Sequence, residues 1–319
     1  MTTQKDIAKK LNLSISTVSR VLSHDKTLTV LPETRRQILD VAKALGYISK
    51  SAKTTKKLIG LISALDAETT EKNPLFQNVK RGIDRYGNTF GVFSATLFKT
   101  AGTYDFSAVG PMDGIIAIGR FSTNDITVFN RLNRPIVFVG SSPDVLKYDA
   151  IIVDTSRVIH QAVEWLIDKN YQPIGYIGIS NPKHHLIDKK THLIRQALLE
   201  RNMLDTSHIH TLTDYDPLDL NPFNKRLARA YICETDGIAL KLMRLLQENH
   251  TKIPETVAIM SLEESTASTY AYPSLTTTQI PYEAMGTEAL EVLVQKMHRP
   301  NRIPVKRILP TRLIKRQST

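Results

Sequence analysis

The sequence predicts an α/β protein: an N-terminal three-helix head followed by a two-lobed body built on parallel sheets. Three observations predict it. Apolar residues in the first fifty positions repeat at helical spacing. Beyond them, short unbroken apolar runs alternate with amphipathic helical stretches. The formal charge of +11 is concentrated at the front, with +8 on residues 1–58 and +3 on the rest. A basic head on a nearly neutral body points to a module that binds phosphates.

The head follows from its caps and stripes. Thr3 is placed to cap a first helix, and Asp6 three residues on is placed to return the hydrogen bond. Ile7, Ala8 and Leu11 then repeat at helical spacing. Asn12-Leu13 reads as a tight turn. Ser14 caps a second helix whose buried stripe is Val18, Val21 and Leu22. That leaves Ile15, Ser16, Thr17, Ser19 and Arg20, with Ser23 just beyond, for the outer surface. Small side chains let such a helix sit deep in the DNA major groove, and the Arg20 fork matches the O6/N7 acceptors of guanine. Pro32 suits the first turn of a third helix, with Ile38, Leu39, Ala42 and Leu45 as its apolar stripe and Gly46 as its stop.

Residues 49–58, SKSAKTTKKL, are polar and basic and read as a linker. Lys50, Lys53, Lys56 and Lys57 suit phosphates or a narrow minor groove.

In the body, the runs at 58–65, 91–98, 114–119, 135–140, 150–153, 174–179 and 257–262 read as strands. The stretches 76–87, 156–169, 189–203, 236–250 and 283–297 read as helices. Strands buried on both faces and separated by helices form parallel sheets. Two such sheets make two lobes, with a cleft at their strand ends where ligands bind.

Several function classes are excluded. The chain has no GxGxxG, P-loop, HExxH or CxxC motif. Its one cysteine, Cys233, leaves no intramolecular disulfide or cysteine-cluster metal site. No nucleophile–base constellation is visible, so an enzyme is not expected, and no cofactor. With no apolar stretch of transmembrane length and no signal peptide before Thr3, a cytoplasmic protein without membrane contact is expected.

DIAKKLNLSISTVSRVL, followed by TRRQILDVAKALGY, resembles the headpiece of the LacI/GalR family of bacterial transcriptional regulators, and TVSRVL is its most specific part. The resemblance continues along the whole chain, faintly favouring the lactose and galactose operon repressors of lactic-acid-type bacteria. It implies a helix-turn-helix head (1–48), a hinge (49–58) and a sensor resembling a periplasmic sugar-binding protein (59–319). Lobe 1 would span about 59–154 and 284–310, and lobe 2 about 155–283 with the C-terminal strand. The chain would cross between lobes near 154, 284 and 310.

The resemblance implies a homodimeric repressor on double-stranded operator DNA, controlled by a small-molecule effector. Thr34, Arg35 and Tyr47 fall where the family touches the phosphate backbone. The hinge departs from the family: Ser49-Lys50 replaces the usual Pro-Asn, and Thr55-Lys56 stands near the expected minor-groove leucine. For the effector, the resemblance points to Phe76 in a loop after the first strand, to Asp188 and Lys190, and to Thr235-Asp236 and Glu263. Lys190 replaces a ligand-anchoring arginine, which is not a conservative exchange. Tyr215 is a candidate aromatic floor, and Arg120 follows a strand at the cleft rim. A galactoside-type sugar is the expected effector; a purine or a phosphoprotein is the alternative.

Overall fold

The computed structural model describes residues 3–22, 28, 30–45, 57–100, 102–179, 189–212 and 226–319. The chain forms two compact units, 1–57 and 58–319.

The head contains α1 (Gln4–Leu11), α2 (Ile15–Leu22) and α3 (Pro32–Ala44). Its core is Ile7, Ala8, Val18, Val21, Leu22, Ile38 and Ala42. Leu39, expected in the buried stripe, is instead 40% exposed. Val41, along with Leu45, packs against the core in its place, because the helix turns about 100° per residue and Ile38, Val41, Ala42 and Leu45 share one face.

The second unit begins with β1 (Lys57–Asp66), α4 (Ala67–Lys72), α5 (Pro74–Phe90), β2 (Val92–Lys99), β3 (Gly114–Ile118), α6 (Thr123–Phe129), β4 (Ile136–Val139) and β5 (Asp149–Val153). It continues with α7 (Thr155–Asp168), β6 (Ile174–Ile179), α8 (Lys189–Leu199), β7 (Ile209–Leu212), β8 (Ala230–Cys233), α9 (Asp236–Glu248), β9 (Ala258–Ser261) and α10 (Thr266–Tyr270). It closes with β10 (Thr277–Gln279), α11 (Tyr282–His298), β11 (Lys306–Leu309) and β12 (Arg312–Ile314). The seven apolar runs read as strands are strands. The short helices α4, α6 and α10 and the strand β7 lack a periodic apolar stripe long enough to announce them.

Two sheets organise this unit. One has the order β2-β1-β3-β4-β5-β11, and the other the order β7-β6-β8-β9. The pairings β1–β3, β3–β4, β4–β5 and β5–β11 are parallel, as are all three pairings in the second sheet. A parallel sheet is covered on both faces, and each sheet here separates two apolar clusters. The first sheet packs α5 and α11 on one side and an aromatic group including Phe121, Phe129, Phe138 and Tyr148 on the other. The second packs α7 and α8 on one side and α9 on the other. β10 and β12 form an antiparallel pair, joined to the second sheet by the bridge of Met260 to Thr276.

The chain passes between the sheets at Asp154, at Ile280-Pro281 and at Pro310-Thr311. Its last residues are tied down. Ser318 is fully buried, donates to the Ile259 carbonyl at 2.6 Å and accepts from the Thr276 amide at 2.8 Å.

α5 and α11 cross without side chains between them at two points. A methyl group on Gly82 would collide with the Glu283 carbonyl, and one on Gly286 with that of Val79. Arg81 and Arg85 then reach Glu283 at 3.1 Å each.

Candidate functional site

The head presents one outward helix face. The Thr3 hydroxyl and amide both donate to Asp6 Oδ2, at 2.8 and 2.7 Å, while the Asp6 amide donates back to Thr3 Oγ1. Those hydrogen bonds hold the Asp6 carboxyl below its ordinary value. α1 ends at Asn12, whose left-handed backbone (φ 53°) turns the chain sharply. Ser14 then starts α2: its Oγ accepts from the Thr17 amide at 3.0 Å and lies 2.8 Å from both Ser16 Oγ and Thr17 Oγ1.

With Val18, Val21 and Leu22 buried, Ile15 (48% exposed), Ser16 and Arg20 face outward, and Thr17 and Ser19 are half-buried at the margin. This is a short-side-chain helix face with one guanidinium, the shape that enters a major groove. Thr34 and Arg35 are half-buried on α3, and Arg35 Nη2 donates to the Leu28 carbonyl at 3.4 Å. Arg35 therefore also braces the head's own backbone. Ser23, Tyr47, Lys50, Lys53 and Lys56 lie outside the described residues, as does the hinge before Lys57.

Two adjoining cavities open at the strand ends of the second unit. The first, about 280 Å³, lies within lobe 1 and is lined by Phe76, Lys99, Ser122 and Asp125 among others. The second, about 240 Å³, lies between the lobes and is lined from lobe 1 by Val153 and Met285 and from lobe 2 by Lys190 and Glu263. Leu75, Gly119 and Arg120 border both. Phe76 is not in a loop, as expected, but in the first turn of α5, which Asn73 caps by accepting from the Phe76 amide at 3.0 Å. The short helix α4 takes up the residues between β1 and that cap.

In the second cavity Lys190 is clamped. Its Nζ lies 3.0 Å from Glu263 Oε1 and 3.2 Å from Glu234 Oε1, and its side chain is 26% exposed. Burial works against the ammonium, but the two carboxylates outweigh it and raise its pKa. Glu234 Oε2 in turn accepts from the Ile179 amide at 2.8 Å and the Tyr176 hydroxyl at 3.3 Å. Tyr282 packs against the lobe 1 core while its phenol faces Glu263 and Asp236 of lobe 2; burial and those carboxylates push its pKa well up.

In the first cavity Lys99 donates to Asp125 at 2.8 Å. Burial opposes the Asp125 charge, but Lys99 and the Ser122 hydroxyl and amide overcome it and hold the carboxyl below its ordinary value.

The expected residues Phe76, Arg120, Lys190 and Glu263 thus meet around one cleft. Thr235 and Asp236 stand at the start of α9: Thr235 caps it, and Asp236 accepts from Ser268 Oγ at 3.1 Å. Neither lines the two cavities. Asp188 and Tyr215 lie outside the described residues. Glu234 escaped the sequence reading, although it directly follows a buried strand just as Glu263 nearly does. The pair Lys99–Asp125 left no local signal, because its partners are 26 residues apart. Among the described residues no group of three His, Cys, Asp or Glu could hold a metal ion, and no helix is long and apolar enough to cross a membrane.

Residues 3–50 match the model of bacterial regulatory proteins of the lacI family, and residues 163–319 match that of the periplasmic binding protein-like domain. The chain carries a lacI-family helix-turn-helix domain and a periplasmic binding protein-like domain. It is similar to the HTH-type transcriptional repressor MelR of Bacillus subtilis (strain 168), with 29% identity over 98% of this chain and 96% of the relative. It is also similar to the HTH-type transcriptional regulator GalR of Streptococcus thermophilus, with 28% identity over the full length of both. A solved complex of the transcriptional regulator CelR with cellobiose shares the fold, with a TM-score of 0.69 and 22% identity over all of both chains. This protein is accordingly a DNA-binding transcriptional regulator and not an enzyme.

Proposed function

We propose that this regulator is a cytoplasmic homodimeric repressor whose operator affinity is set by a sugar of galactoside type in the cleft. The head spans 1–48, the hinge 49–58, and the two-lobed sensor 59–319. The observation that carries the reading is the cleft: two adjoining cavities lined from both lobes, with the carboxylate of Glu263 and the aromatic rings of Phe76 and Tyr282 on their walls. Carboxylates accept from sugar hydroxyls, and rings cover a sugar's apolar face. The names of the relatives GalR and MelR support the galactoside type, and the cellobiose bound to CelR supports a sugar in general.

Ile15, Ser16 and Arg20 read the operator, while Thr3, Ser14, Thr17, Ser19, Thr34 and Arg35 position the head on it. Two heads on a two-fold axis read half-sites about one helical turn apart. Phe93 (48% exposed), Tyr270 (82%) and Tyr272 (86%) supply exposed aromatic surface of the kind that dimer interfaces use. A sugar that prefers one lobe arrangement shifts the population toward it, and operator affinity changes by the same coupling free energy.

The test combines two measurements. Fluorescence anisotropy against a selected operator should show binding that galactose, lactose or melibiose alters at least fivefold. The same sugars should raise the melting temperature of the protein by mass action. A purine or phosphoprotein that alters operator binding while every sugar leaves both readouts unchanged would replace this reading.

A further inference from the structure

The ionised groups around the cleft are not balanced. Lys190 is held between Glu263 and Glu234, at 3.0 and 3.2 Å. Lys99 is held by Asp125 at 2.8 Å and lies 5.3 Å from the centre of the Tyr104 ring. Asp125 is itself saturated, since it also accepts from the Ser122 amide and hydroxyl. Lys99 and Asp125 neutralise each other, while the two carboxylates on Lys190 leave one negative charge in excess, which Arg120 and Lys189 at the cleft mouth more than offset.

Arg120 is different. It borders both cavities, is exposed, and among the described residues makes no hydrogen bond or ion pair. It follows Gly119, whose positive φ of 107° turns the chain directly off the end of β3 at the mouth of the cleft. A guanidinium offers a planar fork that matches a phosphate or carboxylate with two parallel hydrogen bonds. A neutral sugar can accept from that fork through its hydroxyls but gains no ion pair from it.

We infer that the effector is an anionic sugar, a sugar phosphate or a uronate, whose acidic group is received by Arg120 while its hydroxyls meet the carboxylate of Glu263. The inference rests on the sugar reading above and names its ligand class. Lys189, which lines the second cavity, adds a second positive charge on the opposite lobe. An anion between Arg120 of lobe 1 and Lys189 of lobe 2 favours lobe closure, which gives such a ligand the differential affinity that a switch requires.

Calorimetric titration of the full chain at 50 and 200 mM salt tests this with galactose, glucose, their 6-phosphates and their uronates. The expected result is that one anionic form binds on the order of tenfold more tightly than its neutral parent, with the advantage shrinking at the higher salt. Arg120→Gln should remove that advantage, with an unchanged circular dichroism spectrum and melting temperature of the free protein showing the variant to be folded; Arg120→Lys should keep part of it. Preference for a 6-phosphate over a uronate, or the reverse, distinguishes the two sources of charge. Neutral and anionic forms binding within twofold of one another overturns the inference and leaves the sugar reading standing, and so does an anionic advantage that survives Arg120→Gln. Absence of binding by all six overturns the inference, and the sugar reading falls with it when lactose and melibiose also fail to bind.

Discussion

Glu263 and Lys190 form a 3.0 Å ion pair at the inner end of the cleft, and both side chains are about three-quarters buried. With Glu234 completing the clamp, removing the cation leaves two part-buried carboxylates facing each other. Lys190→Met should therefore cost about 3 kcal/mol of stability, and adding Glu263→Gln should recover part of it; urea denaturation of the single and double variants measures both. The sign with pH is fixed by the raised lysine pKa. Its contribution is fully present below the ordinary lysine value of 10.5 and is lost only as the pH rises above that. The clamp should thus be silent in a stability profile between pH 6 and 9.

Gly82 and Gly286 let α5 and α11 touch backbone to backbone. Gly82→Ala should destabilise the second unit by about 3 kcal/mol, because the obstacle is a carbonyl rather than a movable side chain. Thermal unfolding followed by near-ultraviolet circular dichroism checks it. A variant melting within a degree of the parent would show that the helices separate at little cost.

His160 links α7 to the turn that follows α8. Its Nδ1 lies 2.8 Å from the Ser156 carbonyl and its Nε2 3.2 Å from Glu200 Oε2. The carbonyl first, and then the carboxylate, raise its pKa above 6.5. A raised histidine stabilises the fold below its ordinary value and loses that contribution as the pH rises through the folded one. Stability should fall modestly from pH 6 to pH 8, and His160→Gln should flatten that slope.

Arg20→Ala should weaken operator binding by about 1–3 kcal/mol and relax base preference at one position of each half-site. Binding to random DNA should change far less; anisotropy on the two kinds of duplex separates the outcomes. Equal loss on both would assign Arg20 to phosphate contact.

Cys233 is fully buried in β8, and burial pushes its thiol pKa well up. A thiolate-seeking reagent should not modify the native protein at neutral pH and should react at once in denaturant.

The strands were legible because burial on both faces leaves unbroken apolar runs, and the head because caps and stripes are local. Thr3 and Asp6 lie three residues apart, so their reciprocal bonds are written in the sequence. The clamp on Lys190 was not, since Glu234 and Glu263 come from the ends of two different strands, 44 and 73 residues away from it along the chain or in register with it only after folding. The resemblance, not the periodicity, puts Phe76 in a loop: the periodicity starts a helix at residue 76, and the helix in fact begins two residues earlier, after the six-residue α4.

The edge strand β11, residues 306–309, completes the sheet whose other strands come from residues 57–153, and α11 covers its face. Lobe 1 therefore cannot finish assembling on the ribosome when its first five strands emerge; they must wait, with one face covered by α5 alone, while the whole of the second lobe is synthesised. The head has no such dependence, since its core draws on residues 7–42 alone. During translation a folded DNA-binding head thus precedes any working sensor.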